Sequence, residues 1–134
     1  MASKCILIVE DEPKFRFSLS LVLRQQGYAV YEAGHGMEAM AILGELSKSN
    51  RNVDLVITDI RMPRMSGIEL MEALSRKAVA PKIIVMTGYD HNEYAPKMRA
   101  MGCWKIINKP FDADELLREV ASALSGGEYP VSLP

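Results

Sequence analysis

Five strand-like segments alternate with five stretches of helical period along this chain of 134 residues. That alternation restricts the fold more than any other feature. A strand followed by a helix and another strand returns the chain parallel to itself, and a parallel sheet must be covered on both faces. Cys5–Val9 is a continuous apolar run, as a strand buried on both faces requires. Tyr28–Glu32 alternates only weakly and reads as a short edge strand. Leu55–Ile57, Ile83–Met86 and Trp104–Asn108 complete the set.

Between these runs, apolar residues recur three and four apart. Phe15, Leu19, Val22 and Leu23 make the first stripe, which Gly27 stops. Ala39, Ile42, Leu43 and Leu46 make the second, ended by the polar run 47–52. Gly67, Leu70, Met71 and Leu74 make the third. Pro96 falls where the fourth helix would have its interior. Proline has no amide hydrogen, so that helix is expected to start near Pro96 and be short, or to kink there. Asp112 with Glu115 three residues later is a capping pattern for a last helix carrying Leu116, Leu117, Val120, Ala121 and Leu124.

The expected fold is α/β: a five-stranded parallel sheet in the flavodoxin-like order 2-1-3-4-5, with right-handed crossovers placing helices on both faces. Residues 1–125 are expected to form one domain. Gly126-Gly127 stops the last helix, and residues 126–134 are expected to be a flexible tail or the start of a truncated linker.

Charge excludes two classes of partner. Sixteen basic and seventeen acidic residues leave a formal net charge of −1, with no electrostatic pull toward nucleic acid or an anionic membrane. No apolar stretch approaches the roughly 20 residues that span a bilayer, and the first residues lack a signal-peptide layout. Cys5 and Cys103 have no metal or disulfide spacing and read as buried free thiols of a cytoplasmic protein.

The chemistry gathers where the strands end. Glu10 and Asp11 follow the first strand, Asp59 ends the third, Thr87 ends the fourth and Lys109 ends the fifth. In such sheets ligands bind beyond the carboxyl ends of the strands, where the order reverses. Order 2-1-3-4-5 makes the first and third strands neighbours there and brings Glu10, Asp11 and Asp59 together. Each pair of carboxylates at about 4 Å repels by on the order of 4 kcal/mol at an effective dielectric near 20. A cation is therefore implied, and an oxygen-only donor set fits Mg²⁺. Lys109 adds a compact positive charge, expected on the opposite side, and Thr87 a hydroxyl. A carboxylate so placed can act as nucleophile toward phosphorus.

These segments resemble a response-regulator receiver domain over residues 4–125. The matching stretches are Val9-Glu10-Asp11-Glu12-Pro13, Thr58-Asp59-Ile60-Arg61-Met62-Pro63 with Met65-Ser66-Gly67, Val85-Met86-Thr87-Gly88, and Asn108-Lys109-Pro110-Phe111. The resemblance implies a single-domain phosphorelay receiver of two-component signalling. It implies Asp59 as phosphoacceptor, fed by a histidine kinase or phosphotransfer protein. Asp11, Asp59 and the backbone carbonyl of Arg61 would ligate Mg²⁺, with Glu10 acting mainly through a bound water. Thr87 and Lys109 would bind the phosphoryl group, and Lys109-Pro110 would be cis. Such a protein catalyses only its own phosphorylation and dephosphorylation. Its downstream protein partner would meet the face of the fourth helix, fifth strand and fifth helix.

The chain departs from the family at three places. Ile106 stands where a tyrosine or phenylalanine usually changes rotamer with the switch. Trp104 and Lys105 stand where acids are common, and Pro96 lies in the fourth helix. A partner unlike the family's, or a small structural response, is expected. Arg61 and Tyr89 hold the positions that tune dephosphorylation. His35 and His91 fall in loops and read as solvated. Met37, Met40, Met71, Met98 and Met101 read as gap-filling residues, with Met98 and Met101 as the alternative, an adaptable binding surface.

Two other readings compete. Gly34-His35-Gly36-Met37-Glu38-Ala39 matches a dinucleotide-binding fingerprint, with Asp59 about 20 residues further on to grip a ribose. That reading needs a central buried strand before the glycines, and the preceding strand is the least apolar in the chain. The other is a receiver-shaped interaction module that works without phosphorylation.

Overall fold

The computed structural model describes residues 3–60, 67–77, 80–88 and 95–125. Cys5–Val9 forms β1, Pro13–Gln25 α1, Ala29–Ala33 β2, Gly36–Lys48 α2 and Leu55–Asp59 β3. Gly67–Ser75 forms α3, Lys82–Thr87 β4, Ala95–Ala100 α4, Cys103–Asn108 β5 and Ala113–Leu124 α5. The strands pair in parallel in the order β2-β1-β3-β4-β5, as expected. The weakly alternating second strand does take an edge.

Period-2 alternation sorts each strand's side chains between two cores. Leu7, Val9, Val56, Ile83 and Val85 pack with Leu43, Leu46, Leu70, Leu74 and Met98, under α2, α3 and α4. Ile6, Ile8, Leu55, Ile57, Ile84 and Met86 pack with Leu19, Leu23, Leu116 and Val120, under α1 and α5. Met71 and Met98 are buried and Met40 and Met101 pack against the first core, so these four are filling residues rather than a free surface. Met37 is exposed.

Local chemistry sets the helix ends. Glu12 caps α1 by accepting from the Lys14 amide at 2.9 Å, and Pro13 occupies the first turn, where its missing N–H costs nothing. Gly27, at φ +93°, supplies the left-handed turn that closes α1. Asp112 caps α5 by accepting from the Glu115 amide at 2.7 Å. Pro96 lies at the start of α4, which is six residues long. Both cysteines are free thiols; Cys103 is buried and Cys5 half-buried. Burial pushes the Cys103 thiol up to about 11.

One edge departs from regular pairing. Ile83 of β4 faces Cys103, but Ile84 faces Lys105, so Trp104 is an extra residue in β5. Such a bulge is uncommon in a parallel pair. It shifts the phase of β5. Cys103 and Ile106 join the core under α2–α4, whereas Trp104 and Ile107 join the core under α1 and α5.

Candidate functional site

Backbone pairing runs one residue past the strands and fixes the site. The Glu10 amide donates to the Ala33 carbonyl at 3.0 Å, tying the end of β1 to β2. The Lys109 amide donates to the Thr87 carbonyl at 2.6 Å, tying the end of β5 to β4. The Lys109-Pro110 bond is cis. At the end of β3, the Gly67 amide donates to the Ile60 carbonyl at 2.8 Å. A Cβ on Gly67 would collide with the carbonyl of Asp59 and the backbone of Ile60. Only glycine lets α3 begin this close to the strand that carries Asp59.

Lys109 lies between two of the acids, not across from them. Its Nζ is 2.7 Å from Glu10 Oε1 and 2.7 Å from Asp59 Oδ2. Glu10 is 1% exposed, while Asp11 beside it is exposed. The second Glu10 oxygen accepts from the Asp11 amide at 3.0 Å. Part of the cation that carboxylate repulsion demands is thus the protein's own ammonium.

The electrostatics follow from burial and these contacts. Burial raises the Glu10 carboxyl above its ordinary value, and the Lys109 hydrogen bond opposes that rise without cancelling it. Burial works against the Lys109 ammonium, but hydrogen bonds to Asp59 and Glu10 outweigh it and leave its pKa raised. Lys109 is therefore an ammonium throughout the physiological range.

Sequence reasoning missed several parts of this arrangement. The Phe15 ring centroid is 4.6 Å from Lys109 Nζ, and Phe111 meets Phe15 edge-on, with centroids 5.9 Å apart. Arg16 donates from Nη1 to the Glu10 carbonyl at 2.7 Å and from Nε to Glu32 Oε1 at 3.3 Å. Nothing local in the sequence ties residue 15 to residue 109. Asp59, Glu10 and Lys109 follow the alternation of the α1/α5 face, whereas buried Thr87 continues Ile83 and Val85 on the opposite face. Ile106 pairs with Val85 and shares Thr87's face. The charged trio and the hydroxyl with its neighbouring isoleucine therefore straddle the sheet.

Arg61, Tyr89, His91 and residues 126–134 lie outside the described residues. Among the described residues no three His, Cys, Asp or Glu side chains form a metal-holding cluster. The donor set still fits Mg²⁺, which keeps several waters and takes only one or two carboxylates. Both Glu10 oxygens already accept hydrogen bonds, so Asp11 and Asp59 are the carboxylates that would hold the ion directly.

The glycine fingerprint does not describe a dinucleotide site. Its strand, β2, is an edge. The Gly34 amide donates to Glu38 Oε1 at 2.6 Å, and the Glu38 amide to His35 Nδ1 at 3.2 Å. Two amides of the segment are thus spent on contacts within the chain, and His35, in the loop before α2, also serves as that helix's N-cap. The spacing of His35 and Glu38 was the available signal, obscured because histidine is a rare cap.

A family model described as the response regulator receiver domain matches residues 6–121. The chain is 37% identical over 121 residues to the transcriptional regulatory protein PdtaR of Mycobacterium tuberculosis. That match takes in 90% of the chain and 56% of PdtaR, so the chain spans about half the length of this curated relative. Among solved structures, a CheY-like response regulator receiver domain protein from Methanospirillum hungatei is 30% identical, with a TM-score of 0.83. The match covers 92% of this chain and 95% of that one. The response regulator protein TrrA of Thermotoga maritima, in complex with Mg(2+)-BeF, is 36% identical with a TM-score of 0.75. That match covers 90% and 99%.

Proposed function

The chain belongs to the response regulator receiver domain family, a family of signalling modules, and from that membership we propose that Asp59 accepts a phosphoryl group from a histidine kinase or phosphotransfer protein. The observation that carries the reading is the Lys109 ammonium at 2.7 Å from both Asp59 and Glu10, at the carboxyl ends of three strands. A structural ion pair has no need of a second buried acid on the same ammonium; a phosphoryl site has, because charge arrives there during the reaction.

In the step itself, an Asp59 carboxylate oxygen forms the new bond to phosphorus as the bond to the donor nitrogen breaks. The donor leaves with that electron pair. Lys109 stays beside Asp59 and balances the charge on the transferring oxygens, while the Thr87 hydroxyl donates to one of them. Mg²⁺, when bound, supplies further positive charge on the transferring oxygens. Asp11, Asp59 and the Arg61 carbonyl would hold it, with Glu10 reaching it through water. Residues 1–125 act as one receiver unit, with residues 126–134 as tail or linker.

The output is a change in affinity for a downstream protein at α4, β5 and α5. Ile106 there is an aliphatic residue packed against the core where the family commonly has a ring. An aliphatic side chain makes no hydrogen bond, so the response in residues 88–106 is expected to be small. Amide exchange with and without beryllofluoride measures it, and large protection changes there would contradict this part of the reading.

Acetyl phosphate with Mg²⁺ should add one phosphoryl group by intact mass, and Asp59→Asn should abolish the addition. A wild-type protein that takes up none overturns the function. Asp11→Asn should leave the fold intact but reduce the rise in melting temperature on adding Mg²⁺.

A further inference from the structure

Lys109 touches one group that carries no charge and takes no part in the reaction. Its ammonium lies 4.6 Å from the Phe15 centroid, and Phe15 is braced by Phe111, two residues past Lys109 across the cis peptide. An ammonium over an aromatic face gains roughly 0.5–1 kcal/mol where exposed and about 2 where desolvated. The Lys109 side chain is one-quarter exposed, so the contact lies between those limits.

The ring matters because the two carboxylates are unequal once the reaction proceeds. Asp59 Oδ2 belongs to a full carboxylate only before transfer; afterwards the charge moves outward onto phosphoryl oxygens. Glu10 is unaltered and nearly inaccessible to water. Held by Glu10 alone, the ammonium would be drawn inward, away from the arriving charge. Phe15 stands on the first turn of α1 and holds the ammonium from a third direction without titrating or reacting.

We propose that Phe15 is a positioning residue for phosphoryl transfer, its ring keeping the Lys109 ammonium between Glu10 and Asp59 as charge moves from the carboxylate to the phosphoryl group. This rests on the phosphoacceptor reading of Asp59 and adds a role for a side chain outside the acid–hydroxyl–lysine set.

The test compares Phe15→Leu, which keeps apolar bulk and removes the ring face, with Phe15→Tyr, which restores it. Two readouts are taken: the maximal rate of phosphorylation by acetyl phosphate at saturating Mg²⁺, and the ring-current shift of the Lys109 ε-protons. Phe15→Leu should lose the shift and slow the maximal rate roughly three- to tenfold, the size of one cation–ring contact. The half-saturating Mg²⁺ concentration should not move. Phe15→Tyr should recover both readouts. Phe111→Leu, which removes only the brace, should give the same changes at smaller size and serves if Phe15→Leu fails to fold.

A Leu variant with wild-type rate overturns the proposal. So does a Tyr variant as slow as Leu, which would assign the loss to packing. If the wild-type protein takes no phosphoryl group, the phosphoacceptor reading fails first. The placement is then decided by NMR alone, and a ring-current shift that survives Phe15→Leu overturns it.

Discussion

Two lysines sit at opposite ends of the sheet in similar company. Lys109, just past β5, lies 4.6 Å from the ring of Phe15. Lys82, at the start of β4, lies 4.3 Å from the ring of Trp104. Each ammonium pairs an aromatic face with hydrogen-bond acceptors. The acceptors differ. Lys82 donates to the Ala123 carbonyl at 2.8 Å, at the end of α5, where a cation complements the helix dipole. Lys109 donates to two carboxylates, one of them almost wholly buried. A backbone carbonyl is permanent, so the first arrangement is a fastening. A carboxylate at an open strand end can react, so on the proposed function the second is poised for chemistry. The ring does not distinguish the two sites; the acceptor does.

The contrast fails or holds first on Lys109→Met. Removing this charge should slow phosphoryl uptake by at least roughly a hundredfold, the scale of losing one charge-stabilising donor. It should also lower stability by about 2 kcal/mol, because Glu10 stays buried with its charge uncompensated. Time-resolved intact mass and thermal melts measure both, and uptake that survived would make Lys109 a second fastening.

The next test is pH. Burial raises Glu10, so the folded protein favours its neutral form. That preference is fully present below the ordinary value near 4.5 and is lost as pH rises through the raised value. Glu10→Gln should therefore match the wild type in acid and melt higher than it at neutral pH. A gap of the opposite sign would mean that the Lys109 pairing, not burial, governs Glu10.

Lys82→Met should cost about 1 kcal/mol, through the lost hydrogen bond at the end of α5, and leave phosphoryl uptake unchanged. A slowed uptake would erase the division between the two lysines. The smallest effect belongs to Lys105→Ala. Its pair with Glu119, at 3.6 Å and largely solvated, should be worth no more than about 0.5 kcal/mol in a double-mutant cycle.

Much of this was legible in the residues. Apolar runs such as Cys5–Val9, and helical stripes such as Leu70, Met71 and Leu74, specified strands and helices because burial demands those periods. The strand ends marked the site, since acids are costly there without a task. Three things were not legible. The lysine's place between Glu10 and Asp59 depends on how β5 docks, which no local pattern encodes. The bulge at Trp104 has no glycine to announce it. Phe15 looked like one more stripe residue, because its partner lies 94 positions away.

The bulge has one more consequence. It turns the chain's single tryptophan into the core under α1 and α5, where it is 6% exposed and covered by the Lys82 ammonium. Trp104 stands four residues from the carboxyl end of β5, about 13 Å along the strand. The protein thus carries a built-in optical gauge, remote from Asp59 and out of direct reach of chemistry there. Emission that changed on loading Asp59 would record how far a disturbance at one end of the sheet travels to the other.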